Sequence, residues 1–204
     1  MKTPGIKQTV FIIISVVLLV GIAFVVDYLL QLRENKGLVP PGTEAQIGGA
    51  FSLVDQTGRA VTEKNFNDRH QLIFFGFTHC PDVCPLTLGR VSAILQQLGP
   101  LADRLYPLFI TVDPQRDTSQ RLREYAQPFD PRIIYLTGTD AEIGRVMEAW
   151  RATRSKCAVG EHDYTMNHSA VLYLMAPDGK LVKSYGWDQA PETIEPSIRK
   201  YLAS

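Results

Sequence analysis

Cysteine is scarce in this chain, with three in 204 residues. That is too few for a small scaffold stapled by disulfides, and the odd count leaves one thiol over after any single internal bridge. Cysteine is therefore expected to carry chemistry here rather than architecture. An excess of charge of either sign is lacking too, since 21 Lys and Arg face 21 Asp and Glu, which argues against a protein held to nucleic acid by a basic face. Internal repeats and low-complexity stretches are absent. The apolar fraction of 45%, with 2 Trp, 8 Tyr and 9 Phe, excludes disorder, collagen and coiled coil as overall descriptions.

Long hydrophobic runs are missing with one exception. Residues 10–26 form a run of 17 without charge, after Lys2 and Lys7 and before Asp27 and Tyr28. As a helix it would span about 26 Å, close to the ~30 Å of a hydrocarbon core. The run predicts a transmembrane anchor over residues 9–30, with residues 1–8 as a cytoplasmic N-terminus. A cleaved signal peptide is the competing reading, although its small-x-small site at Gly21, Ile22 and Ala23 falls inside the apolar run. Lys2 and Lys7 before the run nearly balance Arg33 and Lys36 after it, so loop charge decides little about orientation. Residues 31–47, with Gly37, Pro40, Pro41 and Gly42, read as a linker. Residues 48–204 read as one domain, long enough to bury a single core without staples.

Within that domain strands and helices alternate. Residues 51–55 and 59–61 flank Gly58 as a hairpin, and residues 72–77 are a continuous apolar run of the kind covered on both faces. Leu88, Val91, Leu95 and Leu98 fall at helical spacing before Gly99 and Pro100. Strands follow at 105–112 and 133–136, with a helix through Arg121, Leu122 and Tyr125 between them, capped by Asp117 or Thr118. Asp140 opens a helix bearing Ile143, Val146, Met147 and Trp150. Residues 171–175 and 181–185 make a terminal hairpin, and residues 191–202 a last helix expected to be irregular at Pro196. This order implies an α/β layer fold with a mixed sheet and flanking helices.

The chemistry gathers in Phe77-Thr-His-Cys-Pro-Asp-Val-Cys-Pro85, a loop at the carboxyl end of a core strand, where sites of open α/β sheets tend to lie. Cys80 and Cys84 stand in C-x3-C spacing, which differs from the usual redox dithiol and from paired zinc knuckles. Pro85 disfavours helix at Cys84, so a helix is predicted to begin at Pro85. Its positive end favours thiolates, the form that binds metal or attacks disulfides. Two thiolates leave most metal sites incomplete. His70, His79, His162 and His168 are the candidates for a third ligand. Of these, His168 directly precedes a strand and could reach over the site, though a structural histidine is the competing reading.

Three stretches carry a resemblance: Phe75-Gly-Phe-Thr-His-Cys-Pro-Asp-Val-Cys-Pro85, Thr111-Val-Asp-Pro-Gln-Arg-Asp-Thr118, and Asn167-His-Ser169 followed by Tyr173 and Pro177-Asp-Gly179. They resemble the Sco/SenC family of membrane-anchored, thioredoxin-like copper proteins of cytochrome c oxidase assembly. The resemblance implies a thioredoxin-like domain with an added N-terminal hairpin, and Cys80, Cys84 and His168 as copper ligands for Cu(I), Cu(II) or both. It further implies a metallochaperone for the dinuclear copper centre of cytochrome c oxidase subunit II, or a thiol-disulfide oxidoreductase that reduces the cysteines of that centre. Other periplasmic copper chaperones or thiol reductases are further implied partners, and nucleic acid is not one. The short N-terminus places the chain in a bacterial inner membrane, single-pass, with the domain in the periplasm.

Other residues have simpler expectations. Many relatives carry Asp immediately before the ligand histidine, whereas this chain has Asn167, so a negative charge near the metal is expected to be missing. Cys157 reads as a small buried residue rather than a reactive thiol. Met166 reads as packing, with a weak thioether ligand as the competing reading, and Asp82 as a helix cap or a bias on local charge; Asp113, Arg116 and Asp117 read as a surface ion pair and a cap, with support of the site's loops as the competing reading. In the oxidoreductase reading Cys80 attacks and Cys84 resolves. A peroxidase built on Cys80 is the third reading, and it leaves Cys84 and His168 unexplained.

Overall fold

The computed structural model describes residue 21 and residues 47–160 and 163–203. The predicted N-terminus 1–8, almost all of the anchor 9–30 and nearly all of the linker 31–47 lie outside the described residues, as does His162. No helix among the described residues is long and apolar enough to cross a membrane.

The domain is built on one seven-stranded sheet whose strands run, from edge to edge, Ala60–Thr62, Ser52–Asp55, Ile134–Thr137, Leu105–Thr111, His70–Gly76, Val171–Met175 and Leu181–Gly186. Ser52–Asp55 (β1) and Ala60–Thr62 (β2) form the added hairpin at one edge. Its turn is held by the Asp55 carboxylate, which accepts from the Thr57 and Arg59 amides, and by Gly58 at φ +87°, a conformation that costs glycine nothing. His70–Gly76 (β3) and Leu105–Thr111 (β4) are central and parallel, and β4 pairs parallel with Ile134–Thr137 (β5). After His70 every residue of β3 is buried, as its unbroken apolar run predicts for a strand covered on both faces. Val171–Met175 (β8) lies antiparallel against β3, and Leu181–Gly186 (β9) closes the other edge.

Val83–Leu98 (α1), Ser119–Ala126 (α2), Asp140–Ala149 (α3) and Pro191–Leu202 (α4) flank the sheet. Two helix details depart from expectation. The sequence predicts a start at Pro85, whereas α1 begins at Val83 and takes Cys84 into its first turn. The first four amides of a helix have no intrahelical partner, so a proline there removes no bond, and the Cys84 amide finds the Cys80 sulfur instead. Thr118, one of the two caps the sequence offers for α2, takes that role, accepting from the Arg121 amide at 3.2 Å. Through Pro196 the last helix runs unbroken, with Ile194, Ile198 and Leu202 fully buried on its inner face.

A second, two-stranded ribbon went unpredicted. Arg154–Val159 (β6) pairs antiparallel with Asp163–His168 (β7), apart from the main sheet. Its register places Arg154 opposite His168, Lys156 opposite Met166 and Cys157 opposite Thr165. Side chains alternate along a strand, so Tyr164, Met166 and His168 share one face. Met166 is buried on that face. Asn167, Thr165 and Cys157 share the other face, which is the outer one.

Candidate metal centre

The sheet topology brings together residues 84 positions apart. Leu172 of β8 pairs with Phe74 of β3 in antiparallel sense, so the segment entering β8 lies at the end of β3 from which the cysteine loop leaves. There the Cys84 sulfur stands 3.7 Å from Nε2 of His168. A metal–sulfur length of about 2.3 Å and a metal–nitrogen length of about 2.0 Å, opened to a trigonal angle, separate two donors by about 3.7 Å. The pair therefore stands near the spacing that one shared ion requires. Nδ1 of His168 lies 3.1 Å from the Ser169 carbonyl, which can only accept. Nδ1 therefore donates a hydrogen to that carbonyl, which fixes the ring with Nε2 turned toward the sulfur.

Cys80 is half-buried and Cys84 fully buried. The Cys80 amide bonds back to the Phe77 carbonyl at 3.3 Å, a tight turn that returns its sulfur over the start of α1. There it accepts the Cys84 amide at 3.4 Å. The Cys80 thiol is held down at about 4, first by the hydrogen bond from the Cys84 thiol, then by His168 and by the Asp82 and Cys84 amides, all against the opposing effect of burial. The Cys84 thiol is pushed up by that same bond, by burial and by the Cys80 charge. Both shifts describe one shared proton: Cys80 is the thiolate and Cys84 its hydrogen-bond donor. Among the described residues no three His, Cys, Asp or Glu side chains already stand in the geometry of an occupied metal site. Cys84 and His168 approach it, and Cys80 joins them through hydrogen bonds.

The floor of the site is apolar. The His168 ring meets Phe77 edge-on at 5.7 Å and Phe74 at 6.3 Å between centroids. A side chain at Gly76 would meet Phe109 at 2.6 Å and both Phe74 and the Cys84 sulfur at 3.0 Å. Glycine in the middle of a buried strand, a mark of close approach, was the sequence signal that could have located this wall.

The remaining candidates sort plainly. His70 lies at the far end of β3, opposite Leu105. Nδ1 of His79 engages the Thr78 hydroxyl at 3.1 Å and stands 4.0 Å from Asp117. Asp82 stands at the start of α1 without a side-chain cap, and its backbone amide serves the Cys80 sulfur. Cys157 is exposed, contrary to its expected burial, because β6 presents that face outward. Asn167 is exposed on the outer face of β7, opposite to the face that carries His168.

Asp113 and Asp117 are buried rather than superficial. Asp117 accepts the Thr78 amide at 3.0 Å, the Thr78 hydroxyl at 2.7 Å and the Thr111 hydroxyl at 2.6 Å, and burial raises its carboxyl above the usual range. Thr78 stands two residues before Cys80, so this buried carboxyl anchors the cysteine loop.

A model of the SCO1/SenC family matches residues 39–203. The chain belongs to this family. Among Sco relatives, Protein sco1 of Schizosaccharomyces pombe is 38% identical over 176 residues, covering 84% of this chain and 67% of that one. Protein SCO1 homolog 1, mitochondrial, of Arabidopsis thaliana is 40% identical over 164 residues; the match covers 80% of this chain and about half, 49%, of the plant protein. The solved structure of Bradyrhizobium japonicum ScoI with copper bound is 42% identical, with a TM-score of 0.72, and the match covers 76% of this chain and 99% of that chain. The mixed α/β, thioredoxin-like architecture is that of the Sco structures.

Proposed function

We propose that this chain is a membrane-anchored copper metallochaperone, holding copper through Cys80, Cys84 and His168 and serving the dinuclear copper centre of cytochrome c oxidase subunit II. The observation that carries the reading is the 3.7 Å approach of Cys84 and His168 beside the Cys80 thiolate. Two soft sulfurs and an imidazole suit Cu(I), and the imidazole accommodates Cu(II) as well. Binding would release the Cys84 proton, because a thiol ligates as thiolate. A relative of 42% identity is solved with copper bound, which supports copper as the metal. Three protein ligands leave room for an incoming thiolate from a partner, which is what transfer by ligand exchange needs. The anchor at residues 9–30 and a domain facing the periplasm complete the reading; a C-terminal reporter active only in the cytoplasm would contradict that placement.

A second reading has its own support. A depressed Cys80 thiolate beside a protonated Cys84 is the arrangement of an attacking and a resolving thiol, as a reductase of the target cysteines would need. Bound copper would occupy both sulfurs, so the two acts exclude each other at any instant.

The deciding experiment is copper stoichiometry and ligand spectroscopy on the reduced full chain, with His168→Ala and Cys84→Ser alongside. Near-equimolar copper with thiolate signals is expected, and each variant should weaken retention at least tenfold, or about 1.4 kcal/mol. Failure to hold copper, with a Cys80 to Cys84 disulfide that cycles readily, would shift the protein to the reductase reading.

A further inference from the structure

The ribbon that presents His168 is not part of the main sheet; β8 brings its end to the cysteine loop, and the rest of the ribbon is held by side-chain bonds. Apart from the bonds of Arg154 to Asp140 at the start of α3, its side-chain fastenings converge on one loop, residues 112–117, which follows β4. Arg116 donates from Nε to Asp113 at 2.5 Å and from Nη1 to the Tyr164 carbonyl at 2.8 Å and to Asp163 at 3.2 Å. Its guanidinium lies 3.8 Å over the Tyr164 ring. The Tyr164 hydroxyl closes the circuit by donating to Asp113 at 2.9 Å. On the neighbouring strand, Lys156 donates to Gln115 at 2.7 Å and Arg154 to the Val112 carbonyl at 2.8 Å. The same loop ends in Asp117, which holds Thr78 and with it the approach to Cys80.

We propose that the 112–117 loop is a bracket that registers the two halves of the site against each other, with Arg116 as the residue that positions His168. Tyr164 and His168 are four residues apart on one face of β7, so a grip on the first fixes the second along a strand that rises about 3.3 Å per residue. Arg116 suits this task through its planar fork, which meets a carboxylate and a carbonyl while its face stacks on an aromatic ring. Asp113 is 1% exposed and the Arg116 side chain 18%. The pair is thus withdrawn from solvent and held by geometry rather than screened at the surface. Arg116 touches neither sulfur nor imidazole; it acts through Tyr164.

The inference rests on His168 as a copper ligand, and its test separates the two ideas. The full chain is compared with Arg116→Met, Arg116→Lys, Tyr164→Phe and His168→Ala. In metal-free protein, the His168 to Phe77 ring contact is read by NMR; in Cu(I)-loaded protein, the nitrogen donor is read by X-ray absorption. Arg116→Met is expected to weaken the ring contact, to lose at least half of the nitrogen signature while keeping two sulfurs, and to raise the copper dissociation constant at least tenfold, toward that of His168→Ala. Lysine should restore only part of this, because an ammonium lacks the fork. Tyr164→Phe, which deletes only the bond to Asp113, should move the same readouts less, and it serves as the test if Arg116→Met does not fold. An unchanged ring contact and full nitrogen signature in Arg116→Met, or in Tyr164→Phe where the methionine variant is unfolded, would overturn the bracket. If His168→Ala binds copper as the parent does, the ligand reading fails, and the metal-free ring contact still judges the bracket.

Discussion

The two thiols of this site are driven in opposite directions by their mutual hydrogen bond, Cys80 down and Cys84 up. Cys84 is buried among aromatic rings and keeps its hydrogen, while Cys80, half-exposed at the loop, receives that hydrogen bond together with two backbone amides. The direction of the pH dependence follows. A thiol depressed to about 4 is thiolate above that pH and loses its nucleophilicity below it. Alkylation of Cys80 in reduced, metal-free protein is therefore expected to be flat from about pH 6 to pH 8 and to fall with a midpoint near the depressed value of about 4. Cys84→Ala removes the largest cause of the depression and should move that midpoint upward. A wild-type midpoint near the ordinary thiol range would mean that the shared proton does not exist in solution. Much of this was legible in the residues themselves: a C-x3-C loop after a buried strand already pointed to thiolates. The division of labour between the sulfurs was not, because it depends on which of them faces His168 and the helix amides.

At the scale of elements, the site is a contact among β3, α1 and β7, and Gly76 is where β3 lets the Phe109 ring of β4 and the Cys84 sulfur of α1 come close. A methyl group there would stand 2.6 Å from Phe109 and 3.0 Å from the Cys84 sulfur, too close without a shift of a ring or of the helix. Gly76→Ala is expected to destabilise the fold by about 1–3 kcal/mol, the usual range for overpacking, and to widen the Cys84 to His168 spacing. Denaturant unfolding read beside copper retention tests this; an unchanged midpoint and unchanged retention would show that the wall yields freely. The strands and helices of the main sheet could be read from periodicity because their burial is one-sided or complete. The β6–β7 ribbon could not. Its inner face carries Arg154, Lys156 and Tyr164, whose value lies in bonds to the 112–117 loop, and its outer face is exposed. Residues 154–159 show no apolar alternation, and the alternation of Tyr164 and Met166 in the partner strand is too short to mark a strand by itself. Asp113 and Arg116 were underestimated for the same reason, since their partners lie 47 and more positions away.

For the whole molecule the ligand set straddles two regions of unequal local stability. Cys84 belongs to a helix packed on the central strands, whereas His168 ends a ribbon with an exposed outer face, held by a loop and by polar bonds. Segments with few buried apolar groups and solvent-exposed backbone bonds open locally at less than the global free energy. In metal-free protein the amides of β6 and β7 are therefore expected to exchange hydrogen well before those of β3, β4 and β8. Copper changes the accounting only if it bridges the two regions. An ion bound by Cys80 and Cys84 alone stabilises the core and leaves the ribbon free to open, whereas an ion that also holds His168 must lose one ligand before β7 can leave. By linkage the ribbon is then protected by the share of binding energy that His168 contributes. Cu(I) loading should slow exchange at Met166 and His168 at least tenfold in the parent chain and leave it unchanged in His168→Ala. Slowing confined to α1 and the 77–84 loop would mean that the metal is held by the sulfurs alone, with the ribbon as a cover rather than a ligand arm.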